Sequence, residues 1–288
     1  MSSVPTTDED FTCMRLAIAA ALESVSEGGR VRPAPKVGVV IAKGGTVIGV
    51  SHRGETGGGR HAEFGLLDRL AEVDLVGATA YTTLEPCSTR NHPKRPCAAW
   101  LVDRGLSTVF IGTYDPCPSV FRRGWRMLRD AGIVCRDFSA DLRAEAEGDN
   151  REFLDSFRSA SGDSGEAWFD HTQDGGRFLV RTELAGDFET NWGLCGQHSV
   201  YAYGSRGTVA HARYAIAFDD IHDPSNNDFG SHYAALTEGE IGVYRGQDGY
   251  LLIQVVAVTT PDGPDGYPSL RFQYEARAKD FNSDSPHA

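Results

Sequence analysis

Segments with the spacing of amphipathic helices alternate with short apolar segments along the first half of this chain, between residues 11 and 157. The stretch Phe11–Ser26 has apolar residues at helical spacing. Two apolar segments flank Lys43-Gly44-Gly45, a pattern typical of a hairpin. The same criteria predict strands at 37–42, 46–50, 78–84, 108–112 and 133–136, and helices at 61–72, from residue 96, at 120–131 and at 140–157. This alternation predicts a layered α/β domain with a mostly parallel sheet.

The second half of the chain has a different pattern. Short apolar segments are separated by Gly, Asp, Asn and Pro, which predicts a small β sandwich or barrel. The strand candidates are 177–182, 214–218, 251–258 and 270–274. Segment 159–165 reads Ser-Ala-Ser-Gly-Asp-Ser-Gly, a composition typical of linkers. We therefore predict a first domain at 1–158, a linker at 159–167 and an acidic, β-rich domain at 168–288.

Charge is divided unequally between the two halves of this 288-residue chain. Residues 1–160 have 20 basic against 21 acidic side chains and the remainder 8 against 19, within a net charge of −12. An acidic surface repels phosphate backbones, which argues against nucleic acid as the main partner. The first ten residues are polar and no apolar run approaches about 20 residues, so we expect a cytoplasmic protein with no membrane contact. Six cysteines are too few for a disulfide scaffold, so we expect thiols or metal ligands.

Four residues form a pattern that indicates metal chemistry. His61 and Glu63 open one predicted helix, Cys97 opens another, and Cys87 follows a predicted strand. One imidazole and two thiolates leave the fourth tetrahedral position of a zinc ion open, as in catalytic sites, and such zinc brings the pKa of water towards neutrality. Glu63 is well placed to move protons. We predict that His61, Cys87 and Cys97 hold Zn²⁺ and that Glu63 is catalytic.

The motif of His61-Ala62-Glu63 followed by Pro86-Cys87 and Cys97 resembles the cytidine and deoxycytidylate deaminase superfamily. The nine residues between the cysteines, and the order of further motifs, are most similar to the pyrimidine deaminase of riboflavin biosynthesis. Those motifs lie at 33–38, 77–88, 115–120, 124, 131–134, 150 and 153. The resemblance implies a three-layer α/β/α domain with a mixed central sheet, and a diaminopyrimidine ribotide as substrate. It also implies that the Glu85-Pro86 turn lies near the exocyclic amine of the substrate.

Several positions depart from the pattern of that family where it binds its substrate. Ala34 stands where the family has Asn, which removes a hydrogen-bonding side chain. Thr89 stands where His is usual, in an intercysteine segment one residue longer than usual. The cations of that segment, together with a histidine before the glycine-rich loop, are candidates for holding a phosphate or carboxylate; they are Arg90, Lys94, Arg95 and His52. No reductase pattern follows the first domain.

Three functional hypotheses stay open at this point. The first is a deaminase of a small aminated heterocycle, working as a homo-oligomer (dimer or tetramer). The second is a deaminase of a base in single-stranded nucleic acid. The third is a non-enzymatic scaffold whose acidic domain binds a protein partner, and an inactive relative with the same fold belongs with it.

For several other residues, we prefer a structural interpretation without a role in function. The cations around residue 90 and His52 are equally compatible with a solvated loop. Cys13, Cys117 and Cys135 are expected as small buried residues. A second metal site in the acidic half is conceivable but lacks strict ligand spacing; it would use Cys195 and His198, or His222, Asp223, Asp228 and His232.

Overall fold

The computed structural model describes residues 6–26, 32–57, 59–90, 94–260 and 267–279. Contacts divide the chain into two compact units. The first contains Met1–Asp115 and Val120–Leu154, and the second contains Pro116–Ser119 and Asp155–Ala288. Within the described ranges, every helix is too short or too polar to cross a bilayer.

The first unit is built on a mixed five-stranded sheet with the order β2-β1-β3-β4-β5. Its strands are β1 (Gly38–Lys43), β2 (Thr46–His52), β3 (Thr79–Leu84), β4 (Thr108–Thr113) and β5 (Val134–Asp137). Strand β1 is antiparallel to both of its neighbours, whereas β3, β4 and β5 are parallel to one another. The prediction of a mostly parallel sheet was therefore wrong, because the opening hairpin supplies an antiparallel half. The mixed sheet that the resemblance implied is confirmed.

Helices cover both faces of this sheet. They are α1 (Asp8–Leu22), α2 (Ala62–Arg69), α3 (Cys97–Asp103), α4 (Arg123–Asp130), α5 (Ala140–Asp149) and α6 (Arg151–Asp155). Helices α1 and α5 pack together on one face, where Met14, Phe110 and Leu142 share a buried cluster. Helix α2 packs on β1 and β2, α4 packs on β5, and α3 lies between α2 and α4. The structure thus confirms the predicted three-layer α/β/α fold.

Three polar side chains fix helix ends that periodicity did not predict. Thr7 and Asp10 form a capping box, in which Asp10 N donates to Thr7 Oγ1 at 3.2 Å and Thr7 N donates to Asp10 Oδ2 at 2.8 Å. Helix α1 therefore begins before Phe11. The single helix predicted at 140–157 is broken at Asn150, whose Oδ1 accepts from Lys36 N at 2.7 Å and whose Nδ2 donates to Lys36 O at 3.0 Å.

The contact between α1 and β1 requires a glycine at position 38. A Cβ on Gly38 would lie 2.0 Å from Ala17 O, which is backbone and has no room to move. We expect Gly38→Ala to destabilise the first unit by about 3 kcal/mol, measured by urea unfolding followed through the helical circular dichroism signal. Gly148→Ala is the control, because nothing lies within 4 Å of its Cβ and alanine in a helix gains about 0.5–1 kcal/mol. Equal stability of both variants would contradict this packing.

The second unit consists of two five-stranded sheets. Their orders are β12-β10-β9-β8-β6 and β11-β13-β14-β15-β7. The strands are β6 (Ser159–Ser161), β7 (Ser164–Phe169), β8 (Arg177–Arg181), β9 (Asp187–Gly196), β10 (Ser199–Tyr203), β11 (Val209–His211), β12 (Tyr233–Thr237), β13 (Ile241–Arg245), β14 (Gly249–Thr259) and β15 (Ser269–Ala278). Side chains from both sheets share one buried cluster, in which Phe178 and Trp192 pack on Phe272. This arrangement is a β sandwich.

Two predictions in this region were wrong. Segment 159–167 is not an unpaired linker, because β6 pairs with β8 and β7 pairs with β15. Its small polar residues are compatible with a strand once distant partners satisfy the backbone. Segment 214–218 contains no strand, and Tyr214 and Ile216 are 99% and 82% exposed. Asp220 Oδ2 accepts from Ile216 N at 2.8 Å and from Ala217 N at 3.0 Å, so these N–H groups serve a turn instead of a sheet.

Candidate metal centre

Three element ends in the first unit bring one imidazole and two thiols together. His61 is the residue immediately before α2, Cys97 is the first residue of α3, and Cys87 follows the end of β3 by three residues. Cys97 N donates to Cys87 Sγ at 3.3 Å, and Ala98 N donates to Cys87 O at 3.2 Å. These two hydrogen bonds hold the Cys87 turn against the first residues of α3.

The distances among these three side chains fit a tetrahedral metal site. Cys97 Sγ lies 3.5 Å from His61 Nδ1, and the three candidate ligand atoms all lie within 4.8 Å of one another. Ligand atoms about 2.0–2.3 Å from a zinc ion at tetrahedral angles lie about 3.5–3.8 Å apart. Small adjustments of side-chain torsions bring the set to that geometry. One nitrogen and two sulfurs are also a donor set that zinc favours.

The electrostatics of the two thiols favour a cation between them. The hydrogen bond from the Cys97 thiol, followed by that from His61, lowers the pKa of Cys87 to about 4. The pKa of Cys97 is raised, first by its hydrogen bond to Cys87 and then by its complete burial. These opposite shifts favour a pair of thiols that keeps one proton between them. A divalent cation would displace that proton and compensate both thiolates.

Glu63 lies in the first turn of α2, two residues after His61, and is only 3% exposed. Burial raises the pKa of its carboxyl, and the nearby His61 lowers it to a smaller extent. A carboxyl group in this environment accepts and releases protons nearer to neutral pH than an exposed glutamate does.

Two of the three ligands, His61 and Cys87, line one cavity of about 170 Å³ together with Glu63. Its other walls come from the segment before β1, the end of β2, the turn after β3, the residues after β4, and α6. The described lining residues are Pro35, Val37, Arg53, His61, Ala62, Glu63, Leu84, Glu85, Cys87, Asp115 and Phe153. A cavity of about 150 Å³ accommodates one six-membered ring, so this one has room for a small heterocycle.

Glu85 connects the Cys87 turn to the start of α4. Its carboxylate accepts from Trp125 N at 2.9 Å, Arg122 N at 3.0 Å and Asp115 N at 3.4 Å. Burial raises the pKa of Glu85 to about 7, against the opposite effect of these three N–H donors. Because the carboxylate forms these bonds best when it is ionised, Glu85 anchors the backbone at Asp115, Arg122 and Trp125.

Gly124 makes a second close contact at the same junction. A Cβ on this residue would lie 1.8 Å from Pro86 O. Pro86 itself is buried and absent from the described cavity lining. Its role near a substrate amine therefore stays a prediction.

The structure places most of the other predicted substrate-binding residues away from the cavity lining. Thr89 and Lys94 are exposed, Arg90 lies half-buried beside the Phe64 ring, and Arg95 pairs with Asp103 at 2.6 Å. His52 Nδ1 lies 3.1 Å from the carbonyl oxygen of the next residue. Ala34 lines a separate cavity of about 290 Å³ beside Asn150. Of the predicted substrate contacts, Glu85 is among the described lining residues.

Three charged or aromatic lining residues were missed by the sequence reasoning. Asp115 follows parallel strand β4, and the carboxyl ends of parallel strands are a usual place for ligand groups, so its position carried a usable signal. Arg53 is the neighbour of His52, which the sequence favoured instead. Phe153 belongs to the motifs that carry the family resemblance, which assigned it no role in the site, and it lines the cavity.

The remaining cysteines and histidines form no comparable cluster. None of the six cysteines, all of which the structure describes, is in a disulfide bond. Within the described parts of the chain, no second group of three metal-binding side chains comes together, including the candidates around Cys195 and His222. Cys13 is buried as predicted, whereas Cys117 and Cys135 are half-buried.

Comparisons with known proteins agree with this site. Residues 7–113 match the family model of the cytidine and deoxycytidylate deaminase zinc-binding region. The riboflavin biosynthesis protein RibD of Actinobacillus pleuropneumoniae is 44% identical over 127 residues, which is 44% of this chain and 32% of that protein. RibD of Escherichia coli is 39% identical over 144 residues, which is 49% of this chain and 38% of that protein.

A solved structure shows a likeness of the same extent. The deaminase/reductase of Thermotoga maritima matches with a TM-score of 0.44 and 33% identity, over 52% of this chain and 42% of that one. The chain thus spans about a third of the length of the curated relatives that it matches. The ligands His61, Cys87 and Cys97 all lie within the segment that the family model covers. Residues 7–113 are therefore similar to the zinc-binding region of the cytidine and deoxycytidylate deaminase family, and the relatives described above are RibD proteins.

Proposed function

We propose that the first unit is a zinc-dependent hydrolytic deaminase of a small aminated heterocycle. One observation carries this proposal: three potential zinc ligands lie within 4.8 Å of one another, and two of them, His61 and Cys87, line a cavity with room for one ring together with the buried carboxyl of Glu63. The pKa of that carboxyl is raised by burial. The reaction replaces a ring C–NH₂ group by C=O, consumes one water and releases ammonia.

Different residues of the first unit bind the metal, transfer protons and contact the ring. His61, Cys87 and Cys97 would hold zinc, which supplies a Lewis acid that makes water nucleophilic near neutral pH. Glu63 takes one proton from the attacking water and donates it to the neighbouring ring nitrogen. It then takes the second proton from the hydroxyl group now on the ring carbon and passes it to the departing amine, which leaves as ammonia. The buried surroundings of Glu63 suit this sequence, because its raised pKa lets the carboxyl exist in both protonation states. Val37, Leu84 and Phe153 provide apolar wall for the ring.

For the substrate, we propose a pyrimidine or a diaminopyrimidine that resembles a ribotide. The names of the relatives connect them to riboflavin biosynthesis, and the motifs shared with that family run beyond the metal ligands. The scale of the cavity supports a single ring better than a purine. Deamination of a base in single-stranded nucleic acid is less compatible with the three carboxylates that line the cavity, Glu63, Glu85 and Asp115.

The proposal is tested by metal analysis combined with ammonia release. We expect about one zinc per chain in the purified protein, and ammonia release from at least one of a diaminopyrimidine ribotide, cytosine and cytidine. Treatment with a chelator should abolish the release, and added Zn²⁺ should restore it. A protein without bound zinc, or a zinc-loaded protein that releases no ammonia from aminated pyrimidines of any size, would refute the function.

A further inference from the structure

Three tyrosines lie together on the outer face of one sheet of the β sandwich. Tyr201 and Tyr203 belong to β10, and Tyr233 belongs to β12, the strand beside it in the sheet. The residues that alternate with them in β10, Val200 and Ala202, are buried in the core of the sandwich. Since successive side chains of a strand point to opposite faces, the three tyrosines point away from that core. We call them the tyrosine cluster.

The rings of the tyrosine cluster contact one another and are open to solvent. The centroids of Tyr201 and Tyr233 are 5.0 Å apart, and the centroid of Tyr203 lies 5.7 Å from the first and 6.5 Å from the second. Tyr203 is 40% exposed and Tyr233 is 48% exposed. Among the residues that the structure describes, none forms a hydrogen bond with the three phenol hydroxyls. The cluster therefore offers a ligand both aromatic surface and polar atoms.

A glycine lets the Tyr203 ring lie low on the sheet. A Cβ on Gly193 of β9 would lie 2.8 Å from Tyr203 Cε2 and 3.2 Å from Tyr203 Oη. The ring therefore leans over β9, across the place that any other side chain at position 193 would occupy. A ring supported in this way loses little conformational entropy when a ligand stacks on it, which strengthens binding.

Hydrogen-bonding side chains adjoin the tyrosine cluster on the same face. Asn191 of β9 and Tyr233 of β12 are the register partners of Tyr203 on its two sides, so all three residues share a face. Glu189 precedes Asn191 by two residues, lies on that face as well and is exposed. An amide group and a carboxylate bind hydroxyl groups well, because together they supply donors and acceptors.

The charges around the tyrosine cluster disfavour ionic polymers. Residues 161–288 contain 8 basic and 19 acidic side chains, which repel ligands rich in phosphate. A polycation is not matched either, because the same face includes arginines: in the register of β8 and β9, Arg177 is the partner of Asn191 and Arg181 is the partner of Asp187. An uncharged ligand suits this mixed surface best.

We propose that the tyrosine cluster binds a neutral carbohydrate whose pyranose rings stack on the phenol rings. The C–H groups on one face of a pyranose carry a weak positive charge, which matches the negative face of an aromatic ring. The hydroxyl groups at its edge bond to Asn191, Glu189 and the phenol hydroxyls. A sugar chain is thus apolar on its faces, polar at its edges and uncharged, as this surface requires. The site belongs to the second unit and does not depend on the proposed function of the first.

Electrophoresis of the full chain through gels that contain a soluble polysaccharide tests the proposal. The neutral probes are hydroxyethyl cellulose, arabinoxylan, galactomannan and glycogen, and the anionic probe is dextran sulfate. We expect at least one neutral polysaccharide to retard the protein and dextran sulfate to leave its mobility unchanged. Tyr203→Ala should weaken the binding about tenfold. Tyr214→Ala is the matched control and should not change it, because Tyr214 is 99% exposed in the same unit but lies outside the cluster.

Two further variants separate ligand binding from stability of the sheet. Tyr203→Phe keeps the stacking ring and should bind within about threefold of the unchanged protein, whereas Tyr233→Ala should weaken binding as Tyr203→Ala does. Melting temperatures are measured for all variants. Polysaccharide binding that is unchanged in both alanine variants, with lower melting temperatures, would assign the cluster to sheet stability and overturn the proposal.

Other outcomes also overturn the proposal. They are retardation by none of the four neutral polysaccharides, retardation by dextran sulfate alone, and equal weakening by Tyr214→Ala and Tyr203→Ala. Sedimentation of the same proteins tests whether the tyrosine cluster joins two copies of the chain instead. An oligomer that Tyr203→Ala dissociates, in a protein that binds no polysaccharide, would show that the cluster is an interface between copies.

Discussion

Glu63→Gln should lower kcat for ammonia release about 10²- to 10⁴-fold while the protein keeps its zinc. The carboxyl lies buried at the start of α2 and lines the cavity with His61 and Cys87. Glutamine has nearly the same shape but cannot accept and return a proton, so the loss falls on the chemical step. KM should change little. The measurement is steady-state ammonia release together with metal content and melting temperature.

The control for this variant is Glu72→Gln, which changes an exposed glutamate beyond the end of the same helix. It should leave kcat and zinc content unchanged. If Glu63→Gln retained full activity with zinc bound, proton transfer would have to use another group. If instead it retained the cellular function of the protein without activity, the scaffold hypothesis would gain support.

Cys97→Ala should remove zinc from the purified protein and reduce ammonia release to the limit of detection. The thiol is buried at the start of α3 and lies 3.5 Å from His61 Nδ1. Three protein ligands are the minimum for a catalytic zinc site, and loss of one should weaken zinc binding on the order of 10³-fold. The measurements are zinc per chain, and activity as a function of added Zn²⁺.

Cys135→Ala is the matched control, because this half-buried thiol lies outside the metal cluster. It should keep one zinc per chain. Circular dichroism should show the same helical content in both variants, since alanine fits the space of either thiol. Zinc retained at full stoichiometry in Cys97→Ala would show that the metal is held elsewhere.

Local patterns in the sequence predicted most of the first unit. Helical and strand periodicity located the sheet and five of its helices, because each element buries a face whose spacing is visible in the sequence. The His61, Cys87 and Cys97 cluster was also predictable, since metal ligands are few in type and lie at element ends. The parallel or antiparallel direction of strands depends on pairings that periodicity does not report.

Site residues outside the metal cluster were harder to predict. Histidine at position 52 attracted attention because imidazoles are common in active sites, yet the adjacent Arg53 lines the cavity. A one-residue step along the end of β2 reverses the direction of the side chain, and sequence alone does not fix where the strand ends. Ala34 has the same difficulty, because only the fold shows that it lines a different cavity from Pro35.

The second unit was predicted least well. Its strands are held by distant partners, as when β7 pairs with β15 across about a hundred residues, and local composition contains no record of such pairings. The stretch 214–218 has the apolar content of a strand but is exposed, because Asp220 occupies its backbone donors.

The carboxylate of Glu85 ties the turn that contains Cys87 to the backbone at Asp115, Arg122 and Trp125, and Gly124 packs against Pro86 at the same place. This wall of the cavity is therefore rigid. An insertion in the Cys87 turn, or in the backbone bonded to Glu85, would displace the metal ligand Cys87. Changes in substrate preference are then easier to acquire at lining residues such as Pro35, which is neither a metal ligand nor a partner of Glu85.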